Sequence, residues 1–284
     1  MPAPSTPDES VIHDGDTIEP LAPAASNASL KAAVELMSSS GRRIDTPVRK
    51  AFVRNRIEGG RPPMATLYSG GQGGMVALKL YLALIWRCSA SPYQTDKPAR
   101  AWATLLNLDD PEGKGARRVA HALRKLEKHQ LVHLTHQPAK PTLVTLLDES
   151  GDGREYDLPS TAYAKAKRGK RAKAEIDHHL YFKVSSRLWL TGQLQRLKGP
   201  GLVMLLILLT ERGGEGDEVW FSTTAFKERY AISSQTRADG TSELLKAGLL
   251  TIEKRSLAHE RRATTYDVRR QRNVYKLFGA ALTD

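Results

Sequence analysis

The most regular pattern of apolar and polar positions lies between residues 114 and 128. Apolar residues recur there at i, i+3, i+4 and i+7, which is the spacing of an amphipathic helix. They are Val119, Ala122, Leu123 and Leu126. Because a helix turns by about 100° per residue, the polar residues fall on the opposite side. That side contains Lys114, Arg117, His121, Arg124 and Lys128. The pattern therefore predicts a helix whose outer face carries positive charge and no carboxylate.

The segments around this helix predict a helix–turn–helix followed by a β-hairpin. Residues 75–90 are apolar on nearly all sides, which predicts a buried helix, and residues 98–106 predict a shorter helix with proline in its first turn. Residues 131–136 and 142–147 have the composition of strands, with prolines in the turn between them. This order of elements is that of a winged helix, in which the second helix of the turn enters the major groove of DNA. A solvated face on an ordinary helix is the alternative.

The second half of the chain repeats this order. The predicted elements are a buried helix at residues 202–210, a strand at 219–221, helices at 222–230 and 233–247, and extended segments at 249–256 and 263–277. The segment LEKHQLV at residues 126–132 aligns with LLKAGLL at residues 244–250, so the residue numbers differ by 118 (244 against 126). Each copy has a leucine, a helix end and two apolar strand residues. The agreement of several successive elements predicts a duplicated module.

These patterns predict a mostly α-helical α+β chain with two tandem winged helix-turn-helix domains, each with a small β-hairpin wing. Residues 1–40 are rich in Pro, Ala, Ser and acidic residues and are expected to be a disordered acidic tail. Residues 41–69 are expected to be a basic linker or arm, and residues 151–179 a second basic linker. The two domains are expected at residues 70–150 and 180–284, the latter with a long basic wing.

The overall charge indicates a polyanionic partner. The chain has 284 residues and a net charge of +12, which is typical of proteins that bind nucleic acids. A basic protein kept soluble by its charge is the alternative, but the clustering of the cations favours a polyanion. The single cysteine, Cys88, excludes an internal disulfide framework and is expected to be buried. The polar N-terminus and the short apolar runs predict a cytoplasmic protein associated with the nucleoid.

The motifs of common catalytic sites do not occur in this sequence. It contains no GxSxG, HExxH or P-loop motif. His133 and His136 fall on opposite faces of a predicted strand, so they do not converge on one metal ion. We therefore expect a protein that is not an enzyme and that uses neither a cofactor nor a metal. A nuclease built from scattered carboxylates is the alternative, because such a site leaves little signal in a sequence.

The candidate DNA-contacting residues belong to both domains and to the linker between them. In the first domain Arg117, His121 and Arg124 are expected to contact bases, and in the second Gln235 and Arg237, since arginine pairs with guanine and glutamine with adenine. The other candidates of the first domain and the linker are Lys114, Arg118, Lys128, Lys140, Lys167, Arg168, Lys170 and Arg171. Those of the second domain are Ser234, Lys246, Arg255, Arg261, Arg262, Arg269, Arg270 and Arg272. For the basic linker at residues 151–179 the alternative is a solvated linker, and for the long basic wing of the second domain it is a solvated β-ribbon.

Two segments resemble the tandem winged-helix class of bacterial DNA-binding proteins. They are ARAWATLLNLDDPEGKGARRVAHALRKLEKHQLVHL at residues 99–134 and STTAFKERYAISSQTRADGTSELLKAGLLTIEKR at residues 222–255. The class includes single-module regulators of the MarR-like type and two-module plasmid replication initiators. The resemblance implies double-stranded DNA as the partner but does not choose a process, because one fold serves many functions. Gln130 stands where this class usually has a glycine.

The function expected first is a sequence-specific regulator of transcription. The second is a plasmid or chromosomal replication initiator, or a partition protein, that binds DNA repeats. The third is a nucleoid-structuring protein with little sequence preference, which would differ in its specificity ratio and salt dependence. Whether the protein forms a homodimer or a higher assembly on DNA stays open.

Overall fold

The computed structural model describes residues 23–41, 45–55, 59–69, 73–212, 218–256 and 271–282. Within these ranges the protein has a mixed α+β fold, in which helices predominate and the strands form small antiparallel sheets. The first elements are helix α1 (Asn27–Ser40), strand β1 (Asp45–Arg49) and helix α2 (Pro63–Tyr68). No helix in the described ranges is both long and apolar enough to cross a membrane.

The first half contains a unit of three helices and a three-stranded sheet. Its elements are α3 (Gly73–Arg87), β2 (Gln94–Thr95), α4 (Ala99–Leu105), α5 (Lys114–Lys128), β3 (Val132–Thr135) and β4 (Leu143–Leu146). The strands are ordered β2–β4–β3, and both pairs are antiparallel. The three helices and the hairpin lie where the apolar pattern predicts them. The pattern does not predict β2, because two residues are too few for an alternation to be recognised.

The chain between the two units is folded as well. It forms helices α6 (Pro159–Arg168) and α7 (Lys173–His178), strand β5 (Tyr181–Ser185), and the short helices α8 (Arg187–Leu190) and α9 (Gln193–Arg196). Strand β5 pairs antiparallel with β1, and α6 packs on α7 and β1. The prediction of basic linkers at residues 41–69 and 151–179 is therefore wrong for β1, α6 and α7. Strand β1 is paired with β5, α6 and α7 are helical, and apolar side chains such as Phe52 and Ala162 are buried.

The second unit has the same element order as the first. It consists of α10 (Gly199–Glu211), β6 (Glu218–Val219), α11 (Thr223–Tyr230), α12 (Ser234–Lys246), β7 (Leu250–Ser256) and β8 (Gln271–Leu277). Its strand order, β6–β8–β7, is the equivalent of β2–β4–β3. The Ser222 hydroxyl accepts a hydrogen bond from the N–H of Ala225, and Ser233 caps α12 in the same way, as serine commonly does at a helix start.

The junction between the third helix and the following strand is the same in both units. The N–H of Leu131 donates to the Leu126 carbonyl at 3.0 Å, and the N–H of Leu249 donates to the Leu244 carbonyl at the same distance. All four leucines are buried. Gln130 and Gly248 occupy the same place in this turn, with φ of 55° and 66°. The alignment at an offset of 118 therefore holds for the hydrogen bonds as well as for the sequence.

One hydrophobic core runs through both halves of the described chain. Trp86 of α3 stacks on Trp189 of α8, with ring centroids 5.8 Å apart. Lys79 of α3 is also buried, and its Nζ donates to the carbonyl oxygen of Gln195 at 2.7 Å. Burial lowers the pKa of Lys79 to about 8, since a low-dielectric environment disfavours the charged amine. These contacts join α3 of the first unit to the segment between the two units.

Helix α1 belongs to this core. Ala33 and Leu36 are buried in it, and the Ser29 hydroxyl donates to the Leu105 carbonyl at 2.7 Å. The prediction of disorder over residues 1–40 is therefore wrong for residues 27–40, where one apolar side of the helix supplies enough burial to order the segment. Residues 1–22 of the predicted tail lie outside the described residues.

A buried ion cluster joins β1 to the segment that follows β4. The Arg49 Nε lies 3.2 Å from an Asp148 carboxylate oxygen, and its Nη1 pairs with Glu149. The Nε2 of His178, at the end of α7, lies 3.1 Å from the same Asp148 oxygen. Burial raises the pKa of Glu149 to about 7, against the attraction of Arg49. Since a buried charge is tolerated only when it is paired, this cluster fixes β1 against the first unit.

Candidate nucleic-acid interface

A tight turn fixes the start of α5. The Asp110 carboxylate accepts hydrogen bonds from the N–H groups of Gly113 at 3.1 Å and Lys114 at 2.8 Å, which satisfies amides that a helix start leaves free. A Cβ on Gly115 would lie 2.9 Å from the Asp109 carbonyl oxygen, so glycine is required for this close approach of α5 to the turn. The turn therefore sets which side of α5 faces outward.

The outward side of α5 carries cations and one histidine. The exposed candidates on this helix are Lys114, Arg117, Arg118, His121, Arg124 and Lys128. The other two charged residues of α5 point elsewhere. The Lys125 Nζ donates to the Leu67 carbonyl at 2.6 Å, and the Glu127 carboxylate accepts from the N–H of Leu134 at 3.0 Å. Because the one carboxylate of the helix is turned toward β3, the exposed face has a single sign of charge.

The remaining candidates of the first half lie apart from α5. Lys140 is exposed in the turn of the β3–β4 hairpin, where a backbone contact of the wing is expected. Four further cations are exposed at the end of α6 and just beyond it: Lys167, Arg168, Lys170 and Arg171. Because α6 packs mainly on α7 and β1, the structure does not gather these four with the face of α5.

Helix α12 is positioned by a close contact with α10. A Cβ on Gly240 would lie 2.8 Å from the Met204 Cβ, so only glycine lets the helices approach to this distance. The Glu243 carboxylate accepts hydrogen bonds from the N–H groups of Gly201, at 2.9 Å, and Lys198. It thereby satisfies free amides at the N-terminal end of α10. The sequence does not reveal either role, because both depend on which helix lies opposite.

The outward side of α12 is polar and carries little net charge. Ser234, Gln235 and Lys246 are exposed, as is Asp239. The Gln235 Nε2 donates to the Asp239 carboxylate at 2.7 Å, one turn along the helix. An amide held in this way keeps its oxygen and one N–H free for a further partner.

Arg237 points inward, which corrects the prediction that it contacts bases. Its guanidinium carbon lies 4.6 Å from the centre of the Phe226 ring and 5.4 Å from that of Phe221. Its Nη2 donates to the Tyr275 hydroxyl at 3.1 Å. Arg237 is the equivalent of the fully buried Val119 of α5. Because aromatic ring faces attract cations, an arginine can fill this inward position in the second unit.

Two arginines of the second wing are already engaged by the protein. Arg255 pairs with both carboxylate oxygens of Glu218, and this hydrogen bonding raises the pKa of Arg255. The Arg272 guanidinium lies 4.6 Å from the centre of the Trp220 ring. Both are therefore less available to phosphate than the sequence predicts. The other wing candidates, Arg261, Arg262, Arg269 and Arg270, lie outside the described residues.

No cluster of three or more His, Cys, Asp or Glu side chains in the described ranges is arranged to hold a metal ion. Cys88 is buried, as expected. No protein-family model matches the chain, and comparisons with curated proteins and with solved structures found no match either.

Proposed function

We propose that this protein binds double-stranded DNA sequence-specifically through two winged-helix units, with α5 as the principal base-contacting helix. The observation that carries the proposal is the exposed face of α5, which has one sign of charge and no carboxylate. This face belongs to the second helix of a helix–turn–helix that a β-hairpin follows. In DNA-binding proteins with this arrangement, the second helix enters the major groove.

The positions along α5 suggest a division of roles. Arg117, His121 and Arg124 lie on the central turns, and an arginine there can donate two hydrogen bonds to guanine. Lys114 and Lys128 lie at the two ends of the helix, where the walls of the groove bring phosphates close. Lys140 in the hairpin turn would contact the flanking backbone. Phosphate contacts supply affinity and position, and base contacts supply specificity.

The second unit supports a two-site contact with the same duplex. It repeats the strand order of the first unit, and α12 presents Gln235, which suits adenine. The two units share one hydrophobic core, so their spacing is fixed within a single chain. Two such helices can occupy major-groove sites about one helical turn apart without dimerisation.

The test is to incubate the protein with sheared genomic DNA at physiological salt and to sequence the fragments that it retains. We expect discrete enriched sites, because base contacts discriminate between sequences by about 1–3 kcal/mol each. The double variant Arg117→Ala/Arg124→Ala should lose this enrichment while its far-UV circular dichroism stays that of the wild type. Uniform recovery by the wild type would contradict sequence-specific binding and favour a nucleoid-structuring role.

The positions of the enriched sites separate the two specific functions. Single sites beside promoters would support a regulator of transcription, which we place first. An array of repeats at one locus would support a replication initiator or a partition protein instead. The contacts on α5 are the same in both cases.

A further inference from the structure

A wide groove lies between the segment that precedes α3 and the second unit. It has a volume of about 1320 Å³ and is lined by segments of both halves. Its lining includes Arg54, Asn55, Arg61, Ser69, Lys227 and Ser233.

The two walls of the groove adjoin the two candidate DNA-binding helices. One wall includes Ser69 at the end of α2, and the Lys125 Nζ of α5 donates to the carbonyl oxygen of Leu67 in the same helix at 2.6 Å. The other wall includes Ser233 and Ser234, where α12 begins. One wall of the groove is therefore next to α2, which α5 contacts through Lys125, and the other wall includes the start of α12.

Two hydrogen bonds join the two sides of the groove. The N–H of Asn55 donates to the Arg229 carbonyl at 2.8 Å, and the Asn55 Nδ2 donates to the Glu228 carbonyl at 2.6 Å. Both acceptors belong to α11, in the second unit. These bonds fix the width of the groove, because they join the segment after β1 directly to the helix–turn–helix of the other half.

The lining is basic. Among the described lining residues there are four cationic side chains and one carboxylate, that of Glu228. Arg54 and Arg229 lie 3.7 Å and 3.2 Å from the Glu211 carboxylate, which offsets part of their charge. Lys227 is exposed and has no partner among the described residues, and Arg61 donates to a neutral hydroxyl, that of Ser69. Arg61 and Lys227 are therefore the cations best able to accept an outside anion.

We propose that this groove seats the sugar–phosphate backbone of the DNA between the two major-groove contacts. The inference rests on the proposed function and adds a specific surface to it. Arg61 and Lys227 neutralise phosphates on opposite sides of the groove, and the Ser233 hydroxyl donates to a phosphate oxygen. Because none of these contacts reaches a base edge, the groove contributes affinity and sets the register of the two units, not the sequence preference.

The test is a salt titration of binding to one enriched DNA site, measured by fluorescence anisotropy, with wild type and Arg61→Gln/Lys227→Gln. Each phosphate contact contributes about 0.9 to the slope of log K against log salt. We expect the magnitude of this slope to fall by about 2 in the double variant and by about 1 in Lys227→Gln alone. Both variants should keep the base preference of the wild type. The matched control is Lys31→Gln, which removes an exposed helical lysine from α1 and should leave the slope unchanged.

A footprint gives an independent measurement. Hydroxyl-radical cleavage of the bound site should show backbone protection between the two major-groove contacts, and the double variant should lose protection there while keeping it at the α5 site. An unchanged slope together with an unchanged footprint would overturn the groove proposal while DNA binding by α5 stands. A wild type that binds no discrete site would instead overturn the proposed function itself. Tighter binding of a free nucleotide than of duplex DNA, lost in Lys227→Gln, would also overturn the proposal.

Discussion

Helices α5 and α12 occupy equivalent places in the two units but present different chemistry to the solvent. The outer positions pair as Arg117 with Gln235, His121 with Asp239, Arg124 with Ser242, and Lys128 with Lys246. The outer face of α5 carries only positive charge, whereas the charges of Asp239 and Lys246 offset each other on α12. The same scaffold therefore presents one strongly basic helix and one nearly neutral polar helix, and under the proposed function only the first would attract DNA over a distance.

The backbone does not account for this difference. The hydrogen bonds that end each helix and begin the next strand are equivalent, and so are the strand orders of the two sheets. The inward positions differ as well, since Val119 in α5 corresponds to Arg237 in α12. The three aromatic rings around Arg237 are what allow a cation there. A module can thus change its surface and one core position while its backbone stays the same.

The largest expected difference concerns DNA affinity. Arg117→Ala/Arg124→Ala in α5 should weaken binding to an enriched site by roughly 2–6 kcal/mol, because two bidentate contacts to bases are lost. The equivalent α12 variant, Gln235→Ala/Ser242→Ala, should lose at most about 3 kcal/mol, since it removes one bidentate candidate and one weaker donor. Anisotropy titrations at one salt concentration measure both. Equal losses of binding free energy, or a larger loss in the α12 variant, would contradict the expected difference between the two helices.

The next prediction exchanges the inward residues of the two helices. Val119→Arg should destabilise the protein by about 3–5 kcal/mol, because it buries a charge without a partner. Arg237→Val should change stability by less than about 1.5 kcal/mol, since an apolar side chain often replaces a buried cation at little cost. Urea unfolding followed by circular dichroism measures both variants. A mild effect of Val119→Arg would mean that the first unit also tolerates a cation at this position.

A third prediction compares the central helices α3 and α10. The pKa of Lys79 in α3 is lowered from its ordinary value of 10.5 to about 8, whereas α10 is apolar at every buried position except Thr210. Between these two pH values the unfolded chain binds a proton that the folded chain does not, so stability should rise with pH in this window. The gain is on the order of 2 kcal/mol from pH 7 to pH 10.

The control for this pH dependence is Lys79→Met, which makes α3 resemble α10. Urea unfolding of wild type and variant at pH 7 and pH 10 isolates the Lys79 contribution, because every other titrating group is shared. The free energy of unfolding of the wild type should rise relative to that of Lys79→Met as the pH increases from 7 to 10. The same pH dependence in both would show that Lys79 does not titrate in this window.

The smallest expected effects come from the turns that follow α5 and α12. Gln130 has a φ of 55° and should be relieved of strain by Gln130→Gly, which should stabilise the protein by up to about 1 kcal/mol. Gly248→Ala should destabilise it by about 1–2 kcal/mol, although a Cβ there meets no atom within 4 Å. Thermal unfolding measures both. A lower stability of Gln130→Gly would mean that side-chain packing around Gln130 outweighs its backbone strain.

Much of the repeated scaffold follows from local pattern. The helical spacing around Val119 and Leu126 predicts α5, because this signal is contained within two helical turns. The exposed cations of α5 follow from the same spacing. The prediction of linkers is wrong for β1, α6 and α7, because charged residues outnumber the few apolar side chains that anchor these elements.

The amino-acid sequence by itself determined the order of elements, the duplication and the one-signed face of α5, since these depend on the periodicity of neighbouring residues. Only the tertiary structure decided that β1 pairs with β5, that Arg49 is buried among carboxylates, that Arg237 turns inward, and that Arg61 and Lys227 share a groove. The physical reason is separation along the chain. Whether a charge is solvated, paired or stacked on a ring depends on residues up to a hundred or more positions away, and no local pattern contains them.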